Sequence, residues 1–217
     1  MKNYFDYSNY LAKALFESAE TPWEALSKIV GFIAASGSSL GLKEIAKSVF
    51  VGDSVKIDPS AKIEGPAIIG SNSRIGDFVK LRSGVIIGQD CNINHATEVK
   101  HSIIGNHSNA AHLSYIGDSL VGNDVNIAAG AVLANYKNGA KNLEVSLEWG
   151  GKIIPTGLEK FGAVVGDGVK IASNAVTNPG TVIGKNTLIY PLVSIRGTIP
   201  ANKVVKLKAN LEIVDKD

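Results

Sequence analysis

The sequence predicts an all-β solenoid, a parallel β-helix wound from six-residue repeats, with a short helical segment ahead of it. Three observations point there. Val, Ile and Leu make up 59 of the 217 residues. Gly is frequent, at 23, while Phe, Trp and Tyr together reach only 6%. From Val51 onward, aliphatic residues recur every six positions. A core of aliphatics without rings implies a repeated cross-section too narrow for rings.

The repeat runs through Val51, Ile57, Ile63, Ile69, Ile75, Leu81, Ile87, Ile93 and Val99. It continues, with two five-residue steps, through Ile104, Ala110, Ile116, Val121, Ile127 and Leu133. After an interruption it resumes at Val165, Ile171, Thr177, Ile183, Ile189, Ile195 and Ala201. Nineteen of these 22 leading residues are Val, Ile or Leu, where composition alone would give about six. A period of this kind marks a β-helix, in which each six is a short strand plus a corner. The leading aliphatic is expected to point inward. A Gly often follows it, as at Gly70, Gly76 and Gly88, and is expected to allow turn conformations that a Cβ resists. Four residues after the leader comes a small or β-branched side chain, such as Ser73, Cys91 or Thr97, which fits a narrow interior. Three sixes, about 18 residues, make one coil, and coils stack about 4.8 Å apart.

Two segments lie outside the period. Residues 1–48 read as helical. Thr21-Pro22-Trp23-Glu24 is a helix start, with Thr as N-cap, Pro at the first helical position and Glu three after the cap. Leu26, Ile29, Val30 and Ile33 then form one apolar face. This segment is expected to cap the open first coil, since solenoids need a polar end; docking to a partner or a neighbouring subunit is the alternative. Residues 49–217 form the β-helix domain, and residues 136–163 are an extrusion from one coil, because the repeat resumes in phase at Val165. Leu143-Glu144-Val145-Ser146-Leu147 alternates and suggests a hairpin arm. Loops this long in a compact domain are usually functional.

Composition excludes several functions. Net charge is +2, far from the concentrated basic stripe of a nucleic-acid binder. One cysteine rules out a disulfide framework or a multi-Cys metal site. No apolar run reaches the roughly 18 residues of a membrane helix, and the N-terminus lacks the apolar core of a secretory signal. The expectation is a soluble, cytoplasmic protein.

Coil arithmetic then locates chemistry. Arg82 and Lys100 are both second in their sixes and 18 apart, so they stack on one corner. Two cations about 5 Å apart repel unless something anionic lies between them, which suits a phosphate site or a solvated surface pair. His95 and His112 are both third in their sixes and occupy a second corner. Two histidines with no carboxylate expected beside them make a weak metal site, whereas a lone imidazole suits a general base. Cys91 falls at an inward position and reads as core.

From Lys100 to Tyr136 the sequence becomes more specific. The run Ala111-His112-Leu113-Ser114-Tyr115-Ile116-Gly117-Asp118, then Asn126-Ile127-Ala128-Ala129-Gly130, then Asn135-Tyr136, resembles hexapeptide-repeat acyltransferases. The likeness is to the acetyltransferase half of the bifunctional enzymes that make UDP-N-acetylglucosamine. Leu81-Arg82-Ser83-Gly84 resembles that family's substrate-arginine segment.

The resemblance implies a left-handed β-helix that forms a homotrimer with active sites between subunits. It implies transfer of acetyl from acetyl-CoA, without a metal, to the amine of a sugar phosphate, glucosamine 1-phosphate first. Carried over by position, His112 is the base, Arg82 and Lys100 hold the phosphate, and Tyr115 and Asn126 bind the sugar. Asn135 and Tyr136 open the loop that closes the site, which Lys141 completes, with Lys137 as rival. Ala129 and Ser173 meet coenzyme A. The sequence departs from the family at Ala111 and Ala128, where Gly is usual, at Tyr190-Pro191, and in the longer loop after Tyr136. The family's nucleotidyltransferase domain does not fit in fifty helical residues, so uridylyl transfer is not expected. Acylation of a nucleotide-linked amino sugar, and a non-catalytic subunit that binds a sugar nucleotide, are the alternatives.

Overall fold

The computed structural model describes residues 1–209, 212 and 213, and it is a left-handed parallel β-helix with three faces. The last residues of the expected 49–217 domain lie outside the described residues. Each six contributes a strand of two or three residues, and every third six returns to the same face one rung higher. In the first rung, face 1 begins at Val49–Val51, face 2 at Lys56–Ile57 and face 3 at Lys62–Ile63. The leaders stack in register, Ile69 on Ile87, Ile75 on Ile93 and Leu81 on Val99, and form one continuous core. The small inward residues close the gaps between them. Where these are polar they bond to the next rung: Ser73 Oγ donates to the Gly88 carbonyl at 2.8 Å, and Thr97 Oγ1 to that of Ala110 at 3.0 Å. Burial therefore leaves these hydroxyls satisfied. Cys91 is among them, and burial pushes its thiol up to about 12, the state of an inert core cysteine.

The glycines after the leaders act differently from the sequence expectation. Gly70, Gly76 and Gly88 do not have left-handed backbone. They are needed because the rung above comes too close. A Cβ on Gly70 would lie 2.5 Å from the carbonyl carbon and oxygen of Gly88. The left-handed residue comes two positions later and is seldom glycine: Asn72, Phe78 and Asp90 have φ of 61°, 56° and 54°. Asn and Asp tolerate that region; Phe78, and likewise Leu113 and Leu192, do so at exposed corners. The final leader also differs. Ile199, not Ala201, pairs with Ile183, and Val205 with Ile189. The corner after Ile195 is thus shortened, through Arg196 and Gly197.

The N-terminal segment runs along a flank and is only partly helical. It holds α1 (Lys13–Glu17), α2 (Pro22–Ser36), a 3-10 turn at Gly37–Leu40 and a strand, β1 (Lys43–Ala46). The Thr21 side chain accepts from the Glu24 N–H, as the N-cap reading requires. β1 pairs antiparallel with β2 (Val49–Val51) and covers the first edge of face 1. The remainder descends over several rungs. Tyr4 accepts from the Asp167 N–H, Asn9 from Asn106, and Ile29 and Val30 pack beside Gly84. The reason is face 1 itself: its outward residues Ile68, Ile86, Ile103, Leu120, Val164 and Val182 are aliphatic and need cover, which Phe5, Phe16, Leu26 and Ile29 supply.

The 136–163 extrusion forms an antiparallel hairpin, Ser146–Trp149 with Lys152–Pro155. It folds back on the same flank. Leu147 is buried there, and Trp149 stacks on Tyr4 at 4.8 Å and meets Trp23 edge-on at 6.2 Å.

Two glycine substitutions separate these effects. Gly70→Ala should lower stability by about 1–3 kcal/mol, because backbone must move. Gly31→Ala, in mid-helix with nothing within 4 Å of the new Cβ, should raise it by roughly 0.5–1 kcal/mol. Urea unfolding midpoints measure both.

Candidate active site

Face 3 positions most of the residues in question. Its strands run between two corners. One lies where face 2 turns into face 3, the other where face 3 turns into face 1. The first corner is a column of third residues. Ala96 donates to Asp77, Leu113 to His95, Gly130 to His112, Asn174 to Ala129 and Leu192 to Ser173, all through backbone. His112, Ala129 and Ser173 are therefore brought together, one above another. The sequence reading missed one member: Asp77 shares this corner and pairs with His95 Nδ1 at 2.6 Å. No group of three potential metal ligands occurs among the described residues.

His112 is exposed, and its backbone is held: its carbonyl accepts from Gly130 N–H at 3.2 Å and Ser114 Oγ at 3.0 Å. Its imidazole has no protein partner among the described residues. The ring is open to a bound molecule. Above it, the N–H groups of Ala129 and Ser173 have no protein acceptor among the described residues. Their side chains are small, so a ligand carbonyl can reach the backbone.

The second corner carries the basic stack. Arg82 and Lys100 do lie on adjacent rungs, since Leu81 pairs with Val99. The anions beside them belong to the chain. Arg82 Nη1 meets Glu98 Oε1 at 3.1 Å, and Lys100 Nζ meets Asp118 at 2.7 and 3.0 Å. Asp118, whose side chain is only 7% exposed, also takes His101 Nδ1 at 3.1 Å and the Asn135 amide. Burial alone would raise its pKa; hydrogen bonds from His101, Lys100 and Asn135 outweigh burial and hold the carboxyl below the ordinary carboxylate range. Asp118 is the residue that position-by-position reading passed over. The coil here is 17 residues long, so Gly117 stacks on Lys100 and Asp118 stands next to it, which was the available signal.

Tyr115 stands on face 3 between the corners, half-buried. Burial, and then the Asp118 charge, raise its pKa, so its hydroxyl stays a donor. Gly117 makes room for it: a Cβ there would lie 2.7 Å from the Tyr115 hydroxyl and from the Asn135 amide. Asn135 and Tyr136 follow at the second corner, Asn135 buried and Tyr136 pairing with Lys160. Two expected members lie apart. Asn126 is exposed on face 2, between Asn109 and Lys170, and Lys141 is exposed in the loop. Lys137, its rival, donates to the Glu144 carbonyl and so braces the loop. Within one chain, His112 and the Arg82–Lys100 stack stand at opposite edges of face 3. His112 is five positions before Gly117, the rung partner of Lys100, a span of at most about 18 Å.

Several known proteins are similar to this chain. The model of the GMPPB C-terminal domain matches residues 45–148. The bifunctional protein GlmU of Synechococcus elongatus is 31% identical over 168 residues, covering 77% of this chain and 32% of its own. The uncharacterised acetyltransferase YaiX of Escherichia coli O6:K15:H31 is 30% identical over 160 residues, covering 74% of this chain and 69% of its own. A solved structure of a mutant of AntD, an N-acyltransferase from Bacillus cereus, in complex with dTDP and coenzyme A, overlays with a TM-score of 0.43 at 20% identity, over 74% of this chain and 80% of that one. The chain belongs to the hexapeptide-repeat acyltransferase family. It spans about a third of the length of the GlmU relative. No helix among the described residues is long and apolar enough to cross a membrane.

Asp118 gives a pH-dependent test. Its lowered pKa means it stabilises the fold above the unfolded carboxylate value, and that contribution is lost as pH falls through the folded one. Asp118→Asn should cost about 1–3 kcal/mol at pH 7, because Lys100 loses its charge partner. The gap to the parent should close as the pH is taken below about 4, as read by denaturant unfolding across pH.

Proposed function

We propose that the chain is an acetyl-CoA-dependent N-acetyltransferase whose acceptor is an amino-sugar phosphate, glucosamine 1-phosphate first, on the way to a nucleotide sugar. The observation that carries this reading is the free imidazole of His112 beneath the open N–H groups of Ala129 and Ser173. A thioester is already activated, so no covalent intermediate or metal is required. The neutral amine attacks the thioester carbonyl. The N–C bond forms and the C–S bond breaks; His112 takes the amine proton and passes it to the departing thiolate, so the coenzyme leaves as a thiol. The Ala129 and Ser173 amides supply contacts for the coenzyme A arm. Arg82, Lys100, Tyr115 and Asn126 hold the sugar phosphate, with Asn135, Tyr136 and Lys141 at the loop.

These groups lie at two edges of one face, so we propose that the working form is a homotrimer. In it the histidine edge of one copy meets the basic edge of the next. Nothing in this chemistry calls for nucleic acid or a membrane, and a cytoplasmic location agrees with it.

One observation favours a second reading. Arg82 and Lys100 already hold Glu98 and Asp118, which leaves them less charge for a free phosphate. An amino sugar linked to a nucleotide, with its phosphates bound elsewhere, fits that neutralised corner.

Thiol release from acetyl-CoA should appear with glucosamine 1-phosphate or with a nucleotide-linked amino sugar. His112→Ala should slow it roughly 100- to 10,000-fold, the usual worth of a general base. Silence with every amino sugar offered, or a mutant as fast as its parent, overturns the catalytic reading.

A further inference from the structure

A cleft of about 630 Å3 lies between the hairpin arm and the corner where face 3 turns into face 1. It is formed by the shortened last corner on one side and the arm on the other. Tyr136, Lys137, Glu148, Ile153, Asn178 and Arg196 line it. Its size is that of a cofactor or nucleotide pocket.

The charges of this corner single out Arg196. It occupies the same place in its six as Arg82 and Lys100, two positions beyond Ser194, and Asn178 lies one rung beneath it. Arg82 and Lys100 are each matched by a carboxylate within 3.1 Å. Arg196 is exposed, and no carboxylate among the described residues lies within 4 Å of it. Asn178 spends its amide on Ser194 Oγ at 3.1 Å and the Ile195 carbonyl at 2.8 Å, which fixes the floor under the guanidinium. Lys137 is anchored through the Glu144 carbonyl, and its remaining protons are available. The lining thus offers two cations against the one carboxylate of Glu148. The apolar part is exposed as well: Ile153 is 73% and Tyr136 41% accessible. A planar, always-charged fork suits phosphate oxygens, and a ring edge with an aliphatic side chain suits a base.

We propose that this cleft binds a nucleoside diphosphate group, with its phosphates on Arg196 and Lys137 and its base against Tyr136 and Ile153. Two ligands carry that group, a nucleotide-linked sugar and coenzyme A. The binding itself does not depend on turnover; only the assignment of the group to acceptor or donor rests on the acetyltransferase reading.

Isothermal titration calorimetry with UDP and with coenzyme A, on the full chain, tests the proposal without any acetyl transfer. Arg196→Ala should weaken binding about tenfold or more, and Arg196→Glu should abolish it. The affinity of the parent should fall as salt is raised. Arg196 is exposed and outside the core, and circular dichroism checks that both variants keep the fold. Weakening confined to UDP assigns the cleft to the acceptor; weakening confined to coenzyme A assigns it to the donor. No binding of either compound at millimolar concentration, or equal affinity in parent and variants, overturns the proposal. Because binding is read directly, it can hold even if acetyl transfer fails, and it can fail while acetyl transfer holds.

Discussion

The spacing between stacked rungs governs everything else in this molecule. At about 4.8 Å, the backbone of one corner presses on the next, so Gly70 cannot accept even a methyl group without moving Gly88. The narrow three-sided interior admits only thin side chains, hence Ile, Val, Ser and Thr, and no rings in the solenoid core among the described residues. The rung spacing also lines up the outward residues. A column of side chains from successive rungs is a fixed array in which neighbours must either match or repel. His95 above Asp77, and Lys100 beside Asp118, are both products of that constraint.

The array explains the contrast between the two edges of face 3. On the histidine edge, each rung offers a single residue and an outward N–H, and few bonds cross between side chains. On the basic edge, the rungs interlock through Asp118, which joins Lys100 and His101 of the rung below to Asn135 of the rung above. Such a fully bonded buried acid rigidifies its surroundings. His101 also touches the place where Gly84 meets Ile29 and Val30 of α2, so the N-terminal segment leans on the same junction.

Much of this was legible from spacing alone. The six-residue phase located nearly every inward leader, and the interval of 18 placed Arg82 with Lys100. The interval of 17 likewise placed His95 with His112. What spacing could not supply was which neighbours the charges would choose. Asp118 stands in the quoted motif and Glu98 two residues before Lys100, yet only side-chain geometry shows that they neutralise the basic stack. Asp77 was overlooked because it lies in the rung below the histidines. The glycine rule was misread because a sequence shows that Gly is required, not whether backbone torsion or a close neighbour requires it. Ala201 keeps the six-residue phase without being a leader, because the corner after Ile195 is shorter than the period. The course of the N-terminal segment was invisible, since a local apolar pattern does not say which surface it covers.

The flank contact has a consequence in time. Asp6 donates its N–H to Asp167, 161 residues further on, and Phe5 and Phe16 lie on aliphatic rows built by rungs from much later in the chain. During synthesis, at some 5–20 residues per second, those early aromatics emerge before the surface they belong to exists. For many seconds they must stay unpaired while the rungs accumulate beneath them. The Asp6 contact can form only once Asp167 has been made, whereas β1 finds its partner β2 within a few residues of its own synthesis.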